Sequence, residues 1–282
     1  MVLESILTPN VAEQRPLLVF VLGLVYGALA LFLALWIFED QASMVMVFLV
    51  VLATLPLMYH TLCYEEEKGV ALTSERGLLR EHSKALKFFM AMFMGIAVAL
   101  TILYVTLPTQ VTSSAFTVQT QTIASLNQHV TGRITQTALL SKIFLNNVKV
   151  MIFCILFSFI YGSGAIFILT WNASVIAAAA GNFIRSHLAQ YAGTVGLSKV
   201  AAYFYVAALS ILRYAIHGIP EILSYFIAGL AGGILAMAIA KHDFGTQSFE
   251  KVLLDVSDLV LLAVLVLFIA AVLEVFVTPA LF

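Results

Sequence analysis

The chain has 282 residues, of which 62% are hydrophobic and only 10% are charged. A soluble domain is about half apolar and about a quarter charged, so this composition excludes a water-soluble globular fold. The net charge of −1 gives no information on nucleic-acid binding, and no basic run indicates a binding patch. We therefore predict an all-α, polytopic integral membrane protein that has the lipid bilayer as a partner and binds no nucleic acid.

Residues 1–107 are predicted to form an N-terminal three-helix membrane unit. Crossing the hydrocarbon core takes about 20 helical residues, and the apolar runs 17–38, 44–62 and 88–107 meet this length. The charged connection 63–87 has helical periodicity and carries the bases Lys68, Arg76, Arg80, Lys84 and Lys87. Because basic connections stay in the cytoplasm, we expect a cytoplasmic N-terminus. The N-terminal sequence has no basic start and no cleavage site, so the first span is expected to be retained as an anchor.

Residues 108–147 are predicted to form an extracytoplasmic polar loop. This segment is rich in Thr, Ser and Gln and contains no acidic residue. Ile123, Leu126, Val130 and Ile134 recur at helical spacing. The pattern predicts an amphipathic helix on the outer membrane face.

Residues 148–282 form the third predicted unit. Its apolar runs are 148–170, 200–216, 221–240 and 257–278. The intervening stretch 173–184 measures only about 18 Å as a helix, too short to cross, so we predict a short re-entrant half-helix there. If 200–216 crosses, the chain has seven transmembrane helices and an outside C-terminus. If it is re-entrant, the chain has six.

The stretch "RYAIHGIPEILSYF" (213–226) predicts a helix break inside this unit. Gly218 is suited to end one helix as a left-handed cap, and Pro220 to begin the next. His217 would then end the first helix, and Glu221 would lie in the first turn of the second, where the helix dipole favours a carboxylate. The break would bury His217 and Glu221 in the protein interior.

Polar groups at membrane depth are concentrated in the second half of the chain. The candidates for a polar intramembrane or binding site are Asn146, Asn147, Asn172, Asn182, Arg185, Arg213, His217 and Glu221. Such groups are costly in lipid and face a bundle interior or a water-filled cavity, as at the broken helices of transporters. In a second interpretation they only cap helices. Asn146 or Asn147 would cap the fourth span, and Asn172 would cap the half-helix.

No metal site, catalytic residue or cofactor is predicted. "HGIPE" offers one histidine where the metalloprotease pattern needs two, four residues apart. "YGSGAIF" lacks the spacing of a nucleophile elbow. Cys63 and Cys154 are interpreted as apolar side chains rather than as a disulfide.

The segments "FLNNVKVMIFCILFSFIYGSGAIFILTWNASVIAAAAGNF" and "HGIPEILSYFIAGLAGG" resemble the stage II sporulation protein M (SpoIIM) family, in the form that archaeal members have. That family pairs an Asn-Asn motif before a span with a Gly-x-Gly region and an Asn after it, followed by an HG-x-x-E motif that opens a glycine-rich span. The positions that match are Asn146, Asn147, Gly162, Gly164, Asn172, His217, Gly218, Glu221, Gly229, Gly232 and Gly233. The resemblance covers residues 140–240.

The resemblance implies a membrane scaffold, because the family's namesake recruits extracytoplasmic peptidoglycan-degrading enzymes in endospore formers. We therefore expect a non-enzymatic organiser of the cell envelope or of membrane remodelling, with an extracytoplasmic protein partner. A transporter or channel-like protein with a polar site at His217 and Glu221 is the alternative, followed by an intramembrane enzyme. The glycines are interpreted as helix-packing residues, and those at 229–233 predict a homo-oligomer, most simply a dimer.

Overall fold

The structure, a computed structural model, describes residues 9–71, 75–128, 135–161, 164–191, 196–241 and 245–281. These residues form α-helices and no β-strand. The helices are α1 (Pro9–Gln14), α2 (Pro16–Ile37), α3 (Ala42–Ala71), α4 (Glu75–Thr106), α5 (Thr109–Ala115), α6 (Thr117–Gln128), α7 (Gln136–Tyr161), α8 (Ala165–Leu188), α9 (Leu197–Lys241), α10 (Gln247–Val272) and α11 (Thr278–Leu281). A π-helical turn at Leu273–Val277 joins the last two.

Seven helices in the described part of the chain are long and apolar enough to cross a membrane. They are α2, α3, α4, α7, α8, α9 and α10. This confirms the predicted all-α fold with six to seven transmembrane helices. The charged connection 63–87 is largely helical, as its periodicity predicts, because α3 continues to Ala71 and α4 begins at Glu75.

The long helix α9 lies at the centre of the bundle. Its second half packs against α7, α8 and α10, while α2 packs on α4 and α4 packs on α8. Buried residues of all these helices form one continuous hydrophobic core. That core extends across both boundaries of the three predicted units, so the division into units remains a prediction from sequence.

The predicted half-helix at 173–184 is wrong, because these residues lie inside the continuous helix α8. The predicted span 148–170 is wrong as well, since α7 ends at Tyr161 and α8 begins at Ala165. In the sequence, Asn172 interrupts the apolar run, and the part that follows it is therefore interpreted as too short to cross the membrane. Its side-chain amide donates to the Ile168 carbonyl oxygen at 2.8 Å, so the helix itself satisfies this polar group.

The predicted break at Gly218 is also wrong, because α9 runs without interruption for 45 residues. Pro220 lies inside the helix, where its missing N–H removes one backbone hydrogen bond. Gly218 keeps helical geometry; the only described glycines with positive φ are Gly196 and Gly245. A helix of this length measures about 67 Å, well beyond a hydrocarbon core of about 30 Å. One helix therefore replaces the two predicted spans 200–216 and 221–240.

The segment after α4 is a compact cap made of α5 and α6. Phe116, between the two helices, is fully buried and meets the Tyr104 ring edge-on, with 5.0 Å between centroids. Ile123 packs against the core, as the amphipathic pattern predicts. The side chains of Leu126, Val130 and Ile134 lie outside the described residues. The cap is therefore seated on the bundle itself.

Close backbone contact between helices occurs at glycines. A Cβ on Gly95 would overlap the Phe20 carbonyl oxygen, and one on Gly23 would overlap the Met92 carbonyl oxygen. Small residues allow this approach, and packing and dispersion hold membrane helices together. The motif "GLVYG" at 23–27 already signals such a contact in the sequence.

The predicted packing glycines divide into two groups. Gly229 would place a Cβ 2.8 Å from Ala165 Cβ, and Gly232 would place one 2.5 Å from the Ile155 carbonyl oxygen, so both serve contacts of α9 with α7 and α8. A Cβ on Gly164 would overlap the Phe157 carbonyl oxygen, and Gly233 is buried. Gly218, by contrast, has open space around it and makes no close helix contact within the described residues of this chain. Gly162 lies outside the described residues.

We expect Gly95→Ala to destabilise the protein by about 1–3 kcal/mol, because the new methyl group meets backbone that cannot move aside. Gly218→Ala is the matched control, since alanine favours a helix by about 1 kcal/mol over glycine and has room there. Unfolding titrations with a denaturing detergent measure both. A loss of stability in Gly218→Ala would contradict the continuous helix and restore the predicted left-handed cap.

Candidate functional site

Two irregular helix segments face each other where α9 meets the end of α10. Pro220 interrupts the hydrogen bonding of α9, and the π turn Leu273–Val277 interrupts that of α10. π-helical turns occur frequently at functional sites. Five polar side chains converge at this contact, and we call them the α9–α10 cluster: His217, Glu221, Tyr225, Glu274 and Thr278.

His217 and Glu221 have different partners in this cluster. His217 Nδ1 lies 3.2 Å from the hydroxyl oxygen of Thr278. Glu221 accepts a hydrogen bond of 2.8 Å from the hydroxyl of the fully buried Tyr225, one turn along α9. The structure therefore places both predicted residues in one site, each held by a residue that the sequence analysis did not single out.

A second carboxylate, Glu274, belongs to the same contact between α9 and the end of α10. Glu274, in the π turn, interacts electrostatically with both Glu221 and Tyr225. Arg213 exerts a charge effect on His217, and its guanidinium lies 5.4 Å from the Phe183 ring centroid. Two carboxylates, a phenol and an imidazole at one contact between helices provide groups that bind protons or cations.

The remaining predicted residues do not join this cluster. Asn146 is exposed and Asn147 is buried in the interior of α7, so neither caps that helix. Asn172 lies within α8 and bonds to its own helix, so its predicted capping role is wrong. Asn182 is an exposed residue of α8. The candidate asparagines and charged residues therefore do not form one site, but lie on several different surfaces.

Arg185 has a different setting, at the contact between α8 and the cap. Its guanidinium donates to the carbonyl oxygen of Leu107 and, at 3.1 Å, to the Thr112 hydroxyl oxygen. It also lies 5.4 Å from the Tyr104 ring centroid. Gln119, fully buried on α6, donates to the Ser43 carbonyl oxygen at 3.0 Å and to the Ser174 hydroxyl at 3.2 Å. These bonds hold the cap to α3 and α8.

A third polar group lies at the opposite end of the bundle. His82 Nδ1 is 2.6 Å from a Glu65 carboxylate oxygen, and His82 Nε2 is 3.0 Å from an Asp255 carboxylate oxygen. The three residues come from α4, α3 and α10, and their exposed fractions are 1%, 0% and 8%. We call them the inner triad: Glu65, His82 and Asp255.

The sequence analysis missed the inner triad and Glu274. Glu274 lies inside a predicted span, and Asp255 lies just before it in "EKVLLDVSDLVLL", so an acidic residue at membrane depth was the available signal for both. Glu65 and His82 lie in the charged connection 63–87, where the sequence offers several other acids. Nothing in the pattern distinguishes Glu65 from the neighbouring acids.

Within the described residues, no group of three or more His, Cys, Asp or Glu side chains is arranged to hold a metal ion. In the inner triad both imidazole nitrogens already face carboxylate oxygens, so neither has a lone pair free for a metal. Cys63 and Cys154 are free thiols. Cys63 lies 3.6 Å from the Met237 sulfur.

The fold and these clusters define a polytopic α-helical membrane protein with ionisable groups buried between its helices. The model of the family described as stage II sporulation protein M matches residues 16–279, so the chain belongs to the SpoIIM family. The match is far wider than the 140–240 stretch that carries the resemblance in sequence, and it includes α2, α3 and α4. Neither a curated protein nor a solved structure matches the chain.

We expect Tyr225→Phe to destabilise the protein more than Glu221→Gln does. Removing the phenol leaves a buried carboxylate without its donor, at a cost of about 1–3 kcal/mol. The glutamine keeps an oxygen that accepts from Tyr225 and removes a buried charge. Detergent unfolding titrations at neutral pH compare the two variants. An equal or larger loss in Glu221→Gln would show that the carboxylate charge itself holds the α9–α10 contact.

Proposed function

We propose that the protein is a non-enzymatic membrane scaffold of the cell envelope or of membrane remodelling, whose α5–α6 cap docks an extracytoplasmic protein. The proposal rests on how the cap is fixed to the bundle. Arg185 and Gln119 hold the cap to the transmembrane helices α3 and α8, so its outer surface has a fixed shape. A docking surface benefits from such preorganisation, because less freedom is lost on binding.

The outer surface of the cap is polar. An open cleft of about 380 Å³ runs between the cap and the ends of α4 and α8. It is lined by Tyr104, Thr109, Thr112, Ser113, Thr117, Thr120, Gln121, Ala124 and Arg185. The Thr117 hydroxyl donates to the Ser113 carbonyl oxygen of α5, and the Thr120 hydroxyl donates to the Phe116 carbonyl oxygen, so both hydroxyl oxygens remain acceptors for a partner. A cleft rich in acceptors favours a partner that brings hydrogen-bond donors.

The small size of the cavity inside the bundle favours a scaffold over a transporter or channel-like protein. The cavity between α3, α4, α8 and α9 has a volume of about 10 Å³ and is lined mainly by apolar side chains, including Phe88, Phe93, Ile166 and Phe226. This volume is about the size that one water molecule requires. A transporter with its site at the α9–α10 cluster is the second candidate, and the facing irregularities at Pro220 and the π turn support it.

The proposed orientation has the α3–α4 connection in the cytoplasm and the cap outside the cell membrane. The basic residues of the connection 63–87 support it. Self-association remains part of the proposal, most simply as a two-fold dimer. The glycines now give weaker support for a dimer, because Gly229 and Gly232 pack against α8 and α7 of the same chain.

Cross-linked capture from native membranes tests the scaffold. We expect Thr117→Lys with Gln121→Lys to lose extracytoplasmic partners, since two ammonium groups would occupy the exposed cap surface. Glu221→Gln should retain them. Gln190→Lys, an exposed change outside the cap, is the control. Quantitative mass spectrometry measures recovery. Partners kept by the lysine pair and lost in Glu221→Gln would overturn the docking role and favour transport.

Cysteine labelling tests the orientation. In a background without native thiols, we expect Ser125→Cys, exposed on the cap, to react with a membrane-impermeant maleimide in intact cells. Lys251→Cys, exposed at the start of α10, should react only after the cells are permeabilised. The reverse pattern would place the cap in the cytoplasm and exclude an extracytoplasmic partner there.

A further inference from the structure

Arg213 is an exposed cation on α9 that lies outside the α9–α10 cluster. Its guanidinium carbon is 5.4 Å from the centroid of the Phe183 ring on α8. Its charge also acts on Tyr214 and His217 of its own helix. Among the described residues, no carboxylate or other hydrogen-bond acceptor meets this guanidinium. Its N–H groups are therefore available to a ligand from outside the chain.

The Phe183 ring beside this cation is held by two neighbours. His187 stacks on the ring with 3.8 Å between centroids, and Tyr214 meets it edge-on at 6.2 Å. The Tyr214 hydroxyl donates to the Ala179 carbonyl oxygen of α8 at 3.4 Å. Because a cation is attracted to the face of an aromatic ring, the fixed ring positions the guanidinium at the α8–α9 contact, where Arg213 remains exposed.

The helices that meet at Arg213 offer it no acidic partner. The sequence contains no Asp or Glu between Glu81 and Glu221, so α8 and the first half of α9 have no carboxylate. Glu221 lies about two turns further along α9 and accepts its hydrogen bond from Tyr225. A charged side chain beside lipid is costly unless it finds a partner. An anion from outside the chain would remove this cost.

Arg213 lies on the side of the membrane that carries the cap. α8 and α9 run antiparallel, because the Ser210 hydroxyl donates to the Ala180 carbonyl oxygen at 3.4 Å, while Gly229 packs on Ala165 at the start of α8. The end of α8 that pairs with Ser210 is the end joined to the cap. Arg213 follows Ser210 by less than one turn, so it belongs to this cap-side end.

Aromatic side chains mark the membrane surface just beyond Arg213. Tyr203, Phe204 and Tyr205, near the start of α9, have exposed fractions of 47%, 74% and 60%. Exposed aromatic residues at a helix end are typical of the lipid–water interface. Arg213 lies about 12 Å further along the helix than Tyr205. Helix side chains lean toward the helix N-terminus, so the guanidinium extends back toward this interface, where the lipid phosphates lie.

We propose that Arg213 binds the phosphate of an anionic phospholipid in the leaflet on the cap side. A planar guanidinium forms a bidentate pair with two phosphate oxygens. Phe183 and the exposed Ile211 and Leu212 provide apolar surface for the acyl chains. Asn182, exposed one residue before Phe183, extends the polar surface on α8. The lipid neutralises the cation and adds to the α8–α9 contact. This role is independent of the docking proposed for the cap.

Native mass spectrometry of the protein in detergent, with phosphatidylglycerol as the probe, tests the site. We expect one tightly bound lipid in the unmodified protein and at least about tenfold weaker binding in Arg213→Gln, because a charge-assisted contact is lost. Arg213→Lys keeps the charge without the planar fork and should bind with intermediate affinity. Lys199→Gln, an exposed change on the same helix, is the control. Equal affinity in Arg213→Gln and Lys199→Gln overturns the proposal.

Competition experiments identify the bound group. Excess inorganic phosphate should leave phosphatidylglycerol in place, because it brings no acyl chain to the apolar surface. Phosphatidylcholine should bind more weakly than phosphatidylglycerol, since its own cation already offsets its phosphate. Displacement by inorganic phosphate would assign the site to a soluble anion. Equal binding of the two lipids would show that charge does not select the ligand. Either result overturns the proposal.

Solid-state NMR gives a direct measurement on the unmodified sequence. Protein with nitrogen-15-labelled arginine is placed in phosphatidylglycerol bilayers, and Arg213→Gln assigns the Arg213 guanidinium signal by its absence. We expect phosphorus-31 of the lipid to dephase this signal. A signal that phosphorus does not dephase overturns the proposal. Conversion of a dimer to a monomer in Arg213→Gln, with lipid binding unchanged, would assign this surface to a second copy of the chain instead.

Discussion

In the hydrocarbon core of a membrane, every backbone N–H and C=O must find its partner within the protein, and the α-helix is the structure that provides this locally. This constraint explains why α9 continues through Gly218 and Pro220, and why α8 continues through Asn172. A break would expose several backbone groups, whereas proline inside a helix leaves one hydrogen bond unmade. Glycine, proline and asparagine, which often end helices in water-soluble proteins, are therefore weaker indicators of a helix end in this protein.

Because the helices remain continuous, irregularity is concentrated at a few points, and polar groups gather there. Thr278, directly after the π turn, meets His217 of α9, and Glu274 within the turn acts electrostatically on Glu221. At the other end of the bundle, the ionisable side chains of the inner triad meet one another between three helices. Buried ionisable groups in a membrane protein pair in this way because lipid cannot solvate them.

The two ends of the bundle have different chemistry. The cap presents hydroxyl and amide groups on a surface fixed by Arg185 and Gln119, which suits recognition of another molecule. The inner triad is buried and joins α3, α4 and α10 through one imidazole ring. Between the two ends, glycine contacts such as Gly23 with Gly95 give a closely packed bundle.

The sequence by itself determined the membrane class, the all-α fold, the helical extension of the charged connection and the resemblance to the SpoIIM family, because each follows from local composition, periodicity or motif order. It also identified His217 and Glu221 as polar residues of one site between helices. Only the tertiary structure decided their partners, the joining of 200–216 and 221–240 into one helix, and the meeting of Glu65, His82 and Asp255. The physical reason is that lipid-facing and protein-facing surfaces are both apolar. The hydrophobic pattern therefore reveals a membrane helix, while the helix faces that meet are fixed by packing between distant segments.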